Sequence, residues 1–459
     1  MTKGALRLAM TIVWLGAGAS VGAQVVRTGP PPEIKQLIDA VVQAVNSGNA
    51  ESWEAFAQAR YAPELLQKQT AVQRAEDYRR LADTFGTVSI GRVERAGPDA
   101  PLQLHVKGTK SAGEIAVEMS GELPPQIINL TVERGAGPPA RAAGGVPLPP
   151  IDGTLTSAEI EQRLDGYFTK LTADDVFSGV ALVARNGVPV FFKAYGLADR
   201  EKKIPNTIRT RFNIGSINKT FTQLAINQLV RDGKLSLTDT IGKFYPDYPQ
   251  AASRGATVEQ LLTHRGGLSD FFSAEFNRSA KDRFASNADY FRLIGSLPPN
   301  FAPGEREQYC NGCYIALGAI VEKVSGMPYE KYVAERIFNR AEMTSTGYPR
   351  TDRPEADIAL GYTRREGDGS LRNNIAMHGV TGSAAGGGYS TALDLLTYAK
   401  ALRAGRFPGA DSEIGAAGGA PGINAVLETR GEWTVIVLTN FDPPTGERIG
   451  IALADSLAR

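Results

Sequence analysis

Cysteine is nearly absent: among 459 residues only Cys310 and Cys313 occur. So few thiols exclude a disulfide-built scaffold and leave stability to a hydrophobic core. Histidine is as scarce, with His105, His264 and His378 far apart in the chain. Three scattered imidazoles form no ligand cluster, so neither a metal nor another cofactor is expected. An excess of either charge is lacking too, the formal net charge being +1. That balance gives no reason to invoke nucleic acid or an anionic membrane surface. Beyond the first residues no apolar run is long enough to cross a bilayer, so no membrane span is expected after them.

What is present is a globular composition, 42% hydrophobic and 22% charged, and a length that predicts two or three domains. Lys3 and Arg7, the apolar run Leu8 to Ala19 and the small residues Val21-Gly22-Ala23 have the order of an export signal. Cleavage is expected before Gln24, giving a periplasmic or secreted protein.

From Pro30 to about residue 134, helical spacing comes first. Ile34, Leu37, Ile38, Val41, Val42 and Val45 mark one helix, with others near Glu51 to Gln58 and Val72 to Thr84. Strands follow at Val88 to Glu94, Leu102 to Val106, Glu114 to Met119 and Ile127 to Val132. Helices followed by a meander imply a small α+β domain. It loosely resembles the cone-shaped domains similar to nuclear transport factor 2. His105 stands alone in a strand and reads as structural. Residues 135–150 are rich in Gly, Ala and Pro and read as a linker.

The second unit, 151–459, opens with a helix over Ser157 to Leu171. Two strands, Phe177 to Arg185 and Val188 to Tyr195, are joined by Asn186-Gly187, a strong hairpin signal. Helices are expected at Val258 to Thr263, Cys313 to Val324, Tyr329 to Ile337, Ala392 to Arg403 and Ile449 to Leu457. Strands are expected at Asn424 to Glu428 and Trp433 to Leu438. Strands at both ends predict one sheet built from the two termini, with a helical region between them.

Within that region Asn213-Ile214-Gly215-Ser216-Ile217-Asn218-Lys219 leads into the apolar stripe Phe221, Leu224, Ala225, Leu229 and Val230. Ser216 and Lys219 form the sole Ser-x-x-Lys of the chain, predicted in the first turn of a helix and on one face. A serine hydroxyl needs a base to become a nucleophile, and a desolvated lysine can be that base. Alone, the pair is better described as the start of a capped amphipathic helix. At Tyr309-Cys310-Asn311 a phenol and an amide stand just before another predicted helix. The phenol can relay a proton and the amide can hold substrate or the lysine.

These blocks in this order resemble the serine β-lactamase and penicillin-binding protein superfamily. The similarity is to the branch of class C β-lactamases, D-Ala-D-Ala carboxypeptidases and related esterases. Leu261-Leu262-Thr263-His264-Arg265-Gly266-Gly267-Leu268, Gly386-Gly387-Gly388-Tyr389-Ser390-Thr391 and Gly418-Gly419-Ala420-Pro421-Gly422 extend the match. The resemblance implies a β-lactamase/transpeptidase-like α+β fold. It implies Ser216 as the acylated nucleophile, Lys219 as its base partner and Tyr309 as a proton relay. Asn311 would position a small-molecule acyl substrate, and the strand near Gly418 and Gly419 would supply an oxyanion donor beside the Ser216 N–H.

One departure stands out. The branch places Lys or His, any residue, then Gly on the strand beside the serine; here that stretch is Ala416-Ala417-Gly418. No histidine follows His378 and no lysine follows Lys400. The segment between Arg403 and Gly415 is also shorter than usual in the family. Two functions therefore compete: an exported serine hydrolase acting on small esters or amides, and a non-catalytic relative that binds cell-wall-type peptides. Cys310 and Cys313 read as substitutions within a hydrolase motif, with a local disulfide open to them in an oxidising compartment. His264 reads as a packing or capping residue of its turn, and His378 carries no assignment.

Overall fold

The computed structural model describes residues 32–95, 102–109, 112–120, 124–134, 148–353, 355, 357–364 and 370–458. The expected export signal and most of the Gly/Ala/Pro-rich stretch lie outside the described residues. The chain divides into two compact units, residues 1–139 and 140–459.

In the first unit, α1 (Pro32–Asn46), α2 (Ala50–Arg60), α3 (Pro63–Lys68) and α4 (Ala71–Phe85) precede β1 (Val88–Arg95), β2 (Leu102–Gly108), β3 (Ala112–Met119) and β4 (Ile127–Arg134). The strands form an antiparallel meander in sequence order. Alternate residues Leu102, Leu104, Val106, Ile115 and Val117 enter one core with Leu37, Val41, Trp53, Leu81 and Phe85 of the helices. Asn49 caps α2, and Thr70 with Gln73 forms a capping box on α4. The short helix α3 has too few residues to show a period, and its Pro63 at the first position marks only its start.

The second unit holds α5 (Ser157–Ala173), then β5 (Gly179–Arg185) and β6 (Val188–Tyr195). Asn186 and Gly187 take φ of 51° and 74°, the left-handed pair that a tight hairpin requires. The C-terminal part holds β7 (Gly415–Ala420), β8 (Ile423–Arg430) and β9 (Trp433–Thr439). The sheet order is β7-β8-β9-β5-β6, with β9 antiparallel to β5. The two ends of the unit therefore share one sheet, as the strand pattern predicts.

This sheet is covered on both faces. Ala181, Val183, Val426, Val435 and Val437 pack against Leu164 and Phe168 of α5 and against the C-terminal helix. Val180, Leu182, Ala425, Leu427, Ile436 and Leu438 pack against the helical region, including Ile217, Phe221 and Ala225. Period-two alternation with both faces apolar explains why β5 and β9 read as nearly continuous hydrophobic runs. Among the described residues no helix is long and apolar enough to cross a membrane.

One predicted helix differs. Tyr329–Val333 is α-helical, but Ala334–Phe338 forms a π-helical turn. The wider turn leaves both Ile337 and Phe338 buried, with the Phe338 ring 5.0 Å from that of Phe221.

Candidate active site

Ser216 lies not within an α-helix but in a 3-10 turn, Gly215–Ile217, that feeds α6 (Asn218–Arg231). Gly215 has φ +50°, and Asn213 Oδ1 accepts its N–H at 3.0 Å. A Cβ at Gly215 would come within 2.9 Å of Gly419 N, and one at Gly418 within 2.6 Å of Ser216 N. Glycine at both positions therefore lets strand β7 lie directly against the serine turn. This approach brings the backbone of Gly418 and Gly419 beside Ser216.

Lys219 is 6% exposed. Its Nζ lies 3.0 Å from Ser216 Oγ, and donates to Asn311 Oδ1 at 2.8 Å and to the Ala385 carbonyl at 2.6 Å. Burial lowers its pKa to about 7, and the Asp270 carboxylate opposes that shift. A neutral amine has two N–H donors and one lone pair. Asn311 and Ala385 take the donors, so the lone pair is left for the serine hydroxyl.

Asn311 opens α7 (Asn311–Ser325), and its Nδ2 donates to Asp270 Oδ2 at 2.7 Å. The amide is therefore fixed with its oxygen toward the lysine. Tyr309 Oη lies 2.5 Å from Ser216 Oγ. Burial raises the phenol pKa, against the lowering by the serine hydrogen bond. The direction of that shift favours the protonated phenol.

The flanking motifs brace these groups. Cys310 N–H donates to His264 Nδ1 at 3.1 Å, and the His264 ring stacks on Tyr309 at 4.9 Å. Burial and the nearby Lys219 lower the His264 pKa to about 4. A neutral imidazole adds no charge beside the lysine. Cys310 and Cys313 are disulfide-bonded with Cα atoms 5.2 Å apart, which answers the question of their pairing. Tyr389 pairs with Asn213 in a two-residue ladder, and Thr391 caps α8 (Ala392–Arg403). The 386–391 motif thus supports the strand that leads into Ser216.

The six residues singled out from sequence, Ser216, Lys219, Tyr309, Asn311, Gly418 and Gly419, come together. A cleft of about 330 Å³ opens on them, with Lys219 buried beneath its wall. Phe271, Phe272, Tyr290, Ile358 and Ile375 supply apolar wall. Ala417 to Ala420 line it, whereas Ala416 packs against the core that holds Ile214 and Ile217. Ala404 to Ile414, the shortened segment, contains no strand and leads straight into β7. Sequence reasoning missed Asp270, the Ala385 carbonyl, His378 and Glu447, the last two being cleft residues. Burial lowers the His378 pKa, and its Nε2 lies 3.3 Å from the Pro421 carbonyl.

Against known proteins, the β-lactamase family profile matches residues 164–434, more than half of the chain. The chain belongs to that family of serine hydrolases. PbpX of Bacillus subtilis strain 168, named as a penicillin-binding protein, is 30% identical over 253 residues, 55% of this chain and 60% of that protein. The chain spans only 36% of the Staphylococcus aureus protein flp, so these curated relatives are matched over about half their length. A penicillin-binding protein structure from Bacillus halodurans is 29% identical, with TM-score 0.56, covering 63% of this chain and 98% of that one. The fold is also that of EstCE1, a hydrolase with promiscuous acyltransferase activity. There the identity is 19% and the TM-score 0.54, over 66% of this chain and 99% of that one.

Proposed function

We propose that this protein is an exported hydrolase that cleaves small esters or amides through an acyl-Ser216 intermediate. The observation that carries the reading is the buried Lys219, whose two hydrogen-bond acceptors leave its lone pair to Ser216. In acylation, the Ser216 proton passes to Lys219 Nζ as Oγ bonds to the acyl carbon. The carbonyl electron pair moves onto oxygen, stabilised by the Ser216 and Gly419 N–H groups. When the tetrahedral species collapses, Tyr309 Oη donates its proton to the leaving group and regains the one that Lys219 Nζ took from Ser216. Water then attacks the acyl-serine by the same route in reverse and restores the hydroxyl. A neutral fluorophosphonate tests the reading, with intact mass showing one adduct per chain and peptide mapping placing it on Ser216.

Ala416 and the shortened segment before it favour a non-catalytic, peptide-binding relative, and an unlabelled protein would support it. Within the catalytic reading, Ala416 instead sets selectivity. A charge-assisted hydrogen bond contributes about 1.5–3 kcal/mol, so its absence disfavours carboxylate-bearing substrates by roughly ten- to a hundredfold. Neutral esters are expected to be turned over faster than penicillins or D-Ala-D-Ala peptides. Ala416→Lys should shift the kcat/KM ratio toward the carboxylate substrates. Efficient β-lactam hydrolysis by the wild type would refute this selectivity while leaving the nucleophile standing.

The same reading includes a mature start near Gln24 and a boundary within 135–150, where Gly, Ala and Pro expose backbone to proteases. N-terminal sequencing of the exported protein should read from near Gln24, and limited digestion should release a fragment starting near Ile151. Recovery of residues 1–23 on the soluble protein, or cleavage confined to the second unit's interior, counts against it.

A further inference from the structure

The charge in the cleft wall is one-sided. Among the described residues no lysine or arginine lines it, and Glu447 is the sole carboxylate that does. Glu447 stands in the first turn of α9 (Thr445–Leu457). Its N–H donates to Asn424 Oδ1 at 3.0 Å, and Asn424 Nδ2 donates to the Gly418 carbonyl at 3.3 Å. A single asparagine therefore ties the start of α9 to the strand segment that lies against Ser216.

Packing leaves Glu447 little freedom of position. A Cβ at the neighbouring Gly446 would come within 3.1 Å of Asn424 Oδ1 and 2.9 Å of Thr439 Cγ2. Glu447 is itself half-buried. Among the described residues its carboxylate takes neither a hydrogen bond nor an ion pair. Burial raises the pKa of the carboxyl, and the exposed Arg448 beside it opposes the shift. A half-buried carboxylate that has no hydrogen bond or ion pair among the described residues, in a cleft wall where they place no lysine or arginine, is open to the positive charge of a ligand.

We infer that Glu447 is a specificity-determining residue that selects acyl substrates carrying a cationic amine, whose ammonium it holds at the α9 end of the cleft. This rests on the acyl-Ser216 reading and narrows its substrate class. Anionic substrates meet a like charge at that end and no countercharge at position 416, so both features disfavour them.

The test uses the full chain and three esters with a common leaving group. Their acyl chains match in length and end in an ammonium, a neutral amide or a carboxylate. In the wild type the ammonium ester should exceed the amide ester in kcat/KM by about tenfold, with the carboxylate ester slowest. Glu447→Gln should bring the ammonium-to-amide ratio to within about twofold of one. Glu447→Asp should retain most of the preference, and Glu447→Lys should favour the carboxylate ester. Thermal melting checks that each variant folds. A wild-type ratio near one, or a ratio that survives Glu447→Gln, overturns the inference while fluorophosphonate labelling of Ser216 upholds the catalytic reading. Absence of both labelling and turnover overturns the two together.

Discussion

Ser216→Ala is expected to abolish covalent labelling and to lower kcat/KM for a neutral ester by about 10⁴-fold or more. Removing a nucleophile that acts as one unit with its base costs nearly as much as removing the whole set. The substitution deletes one oxygen from a half-exposed position, so stability should change by less than about 1 kcal/mol. Tyr309 loses its 2.5 Å partner, but its ring still stacks on His264. The variant should therefore melt near the wild-type temperature while its activity is lost. Ester turnover that survives in a folded Ser216→Ala variant would refute the nucleophile. A labelled wild type with an adduct on another residue would refute it as directly.

The parts of this site that the sequence made legible are the local ones. Ser216 and Lys219 are three residues apart, Tyr309 and Asn311 two, and helical or pre-helical context settles which way such neighbours face. The hairpin at Asn186-Gly187 and the sheet shared by both termini were readable because β-branched and aromatic runs alternate around turn residues. Strand β7 is the opposite case. Gly415-Ala416-Ala417-Gly418-Gly419-Ala420 has no large apolar side chain and hence no period to detect. Its extended form comes from pairing with β8, Gly418 opposite Ala425. Only the family resemblance pointed to it.

Asp270 and Glu447 were hidden for a different reason. Asp270 meets Asn311 across 41 residues of chain. Glu447 reaches the cleft through Asn424, 23 residues upstream. Such contacts depend on how the helical region and sheet pack, which no local pattern encodes. Each is also a common residue type at an unremarkable position. The π-helical turn at Ala334–Phe338 escaped for a similar reason, since its apolar spacing fits an ordinary helix within one residue.

Lys219 must be neutral to accept the serine proton, and burial places its pKa at about 7. Below that value Nζ is protonated and has no lone pair. kcat/KM for a neutral ester should therefore rise about tenfold per pH unit on the acid side and level off above about pH 7, since this parameter reports the free enzyme. Asp270 raises the lysine pKa through its charge, and its Oδ2 accepts from Asn311. Asp270→Asn keeps an acceptor for Asn311 Nδ2 and removes the charge. The acid limb should therefore move to lower pH, and kcat/KM at pH 5 should rise relative to its own plateau. Lys219→Met should lower the plateau by roughly 10³-fold, the scale of a lost general base, and erase the limb. A profile flat from pH 5 to pH 8, or a limb that moves upward in Asp270→Asn, would remove Lys219 from the role of base.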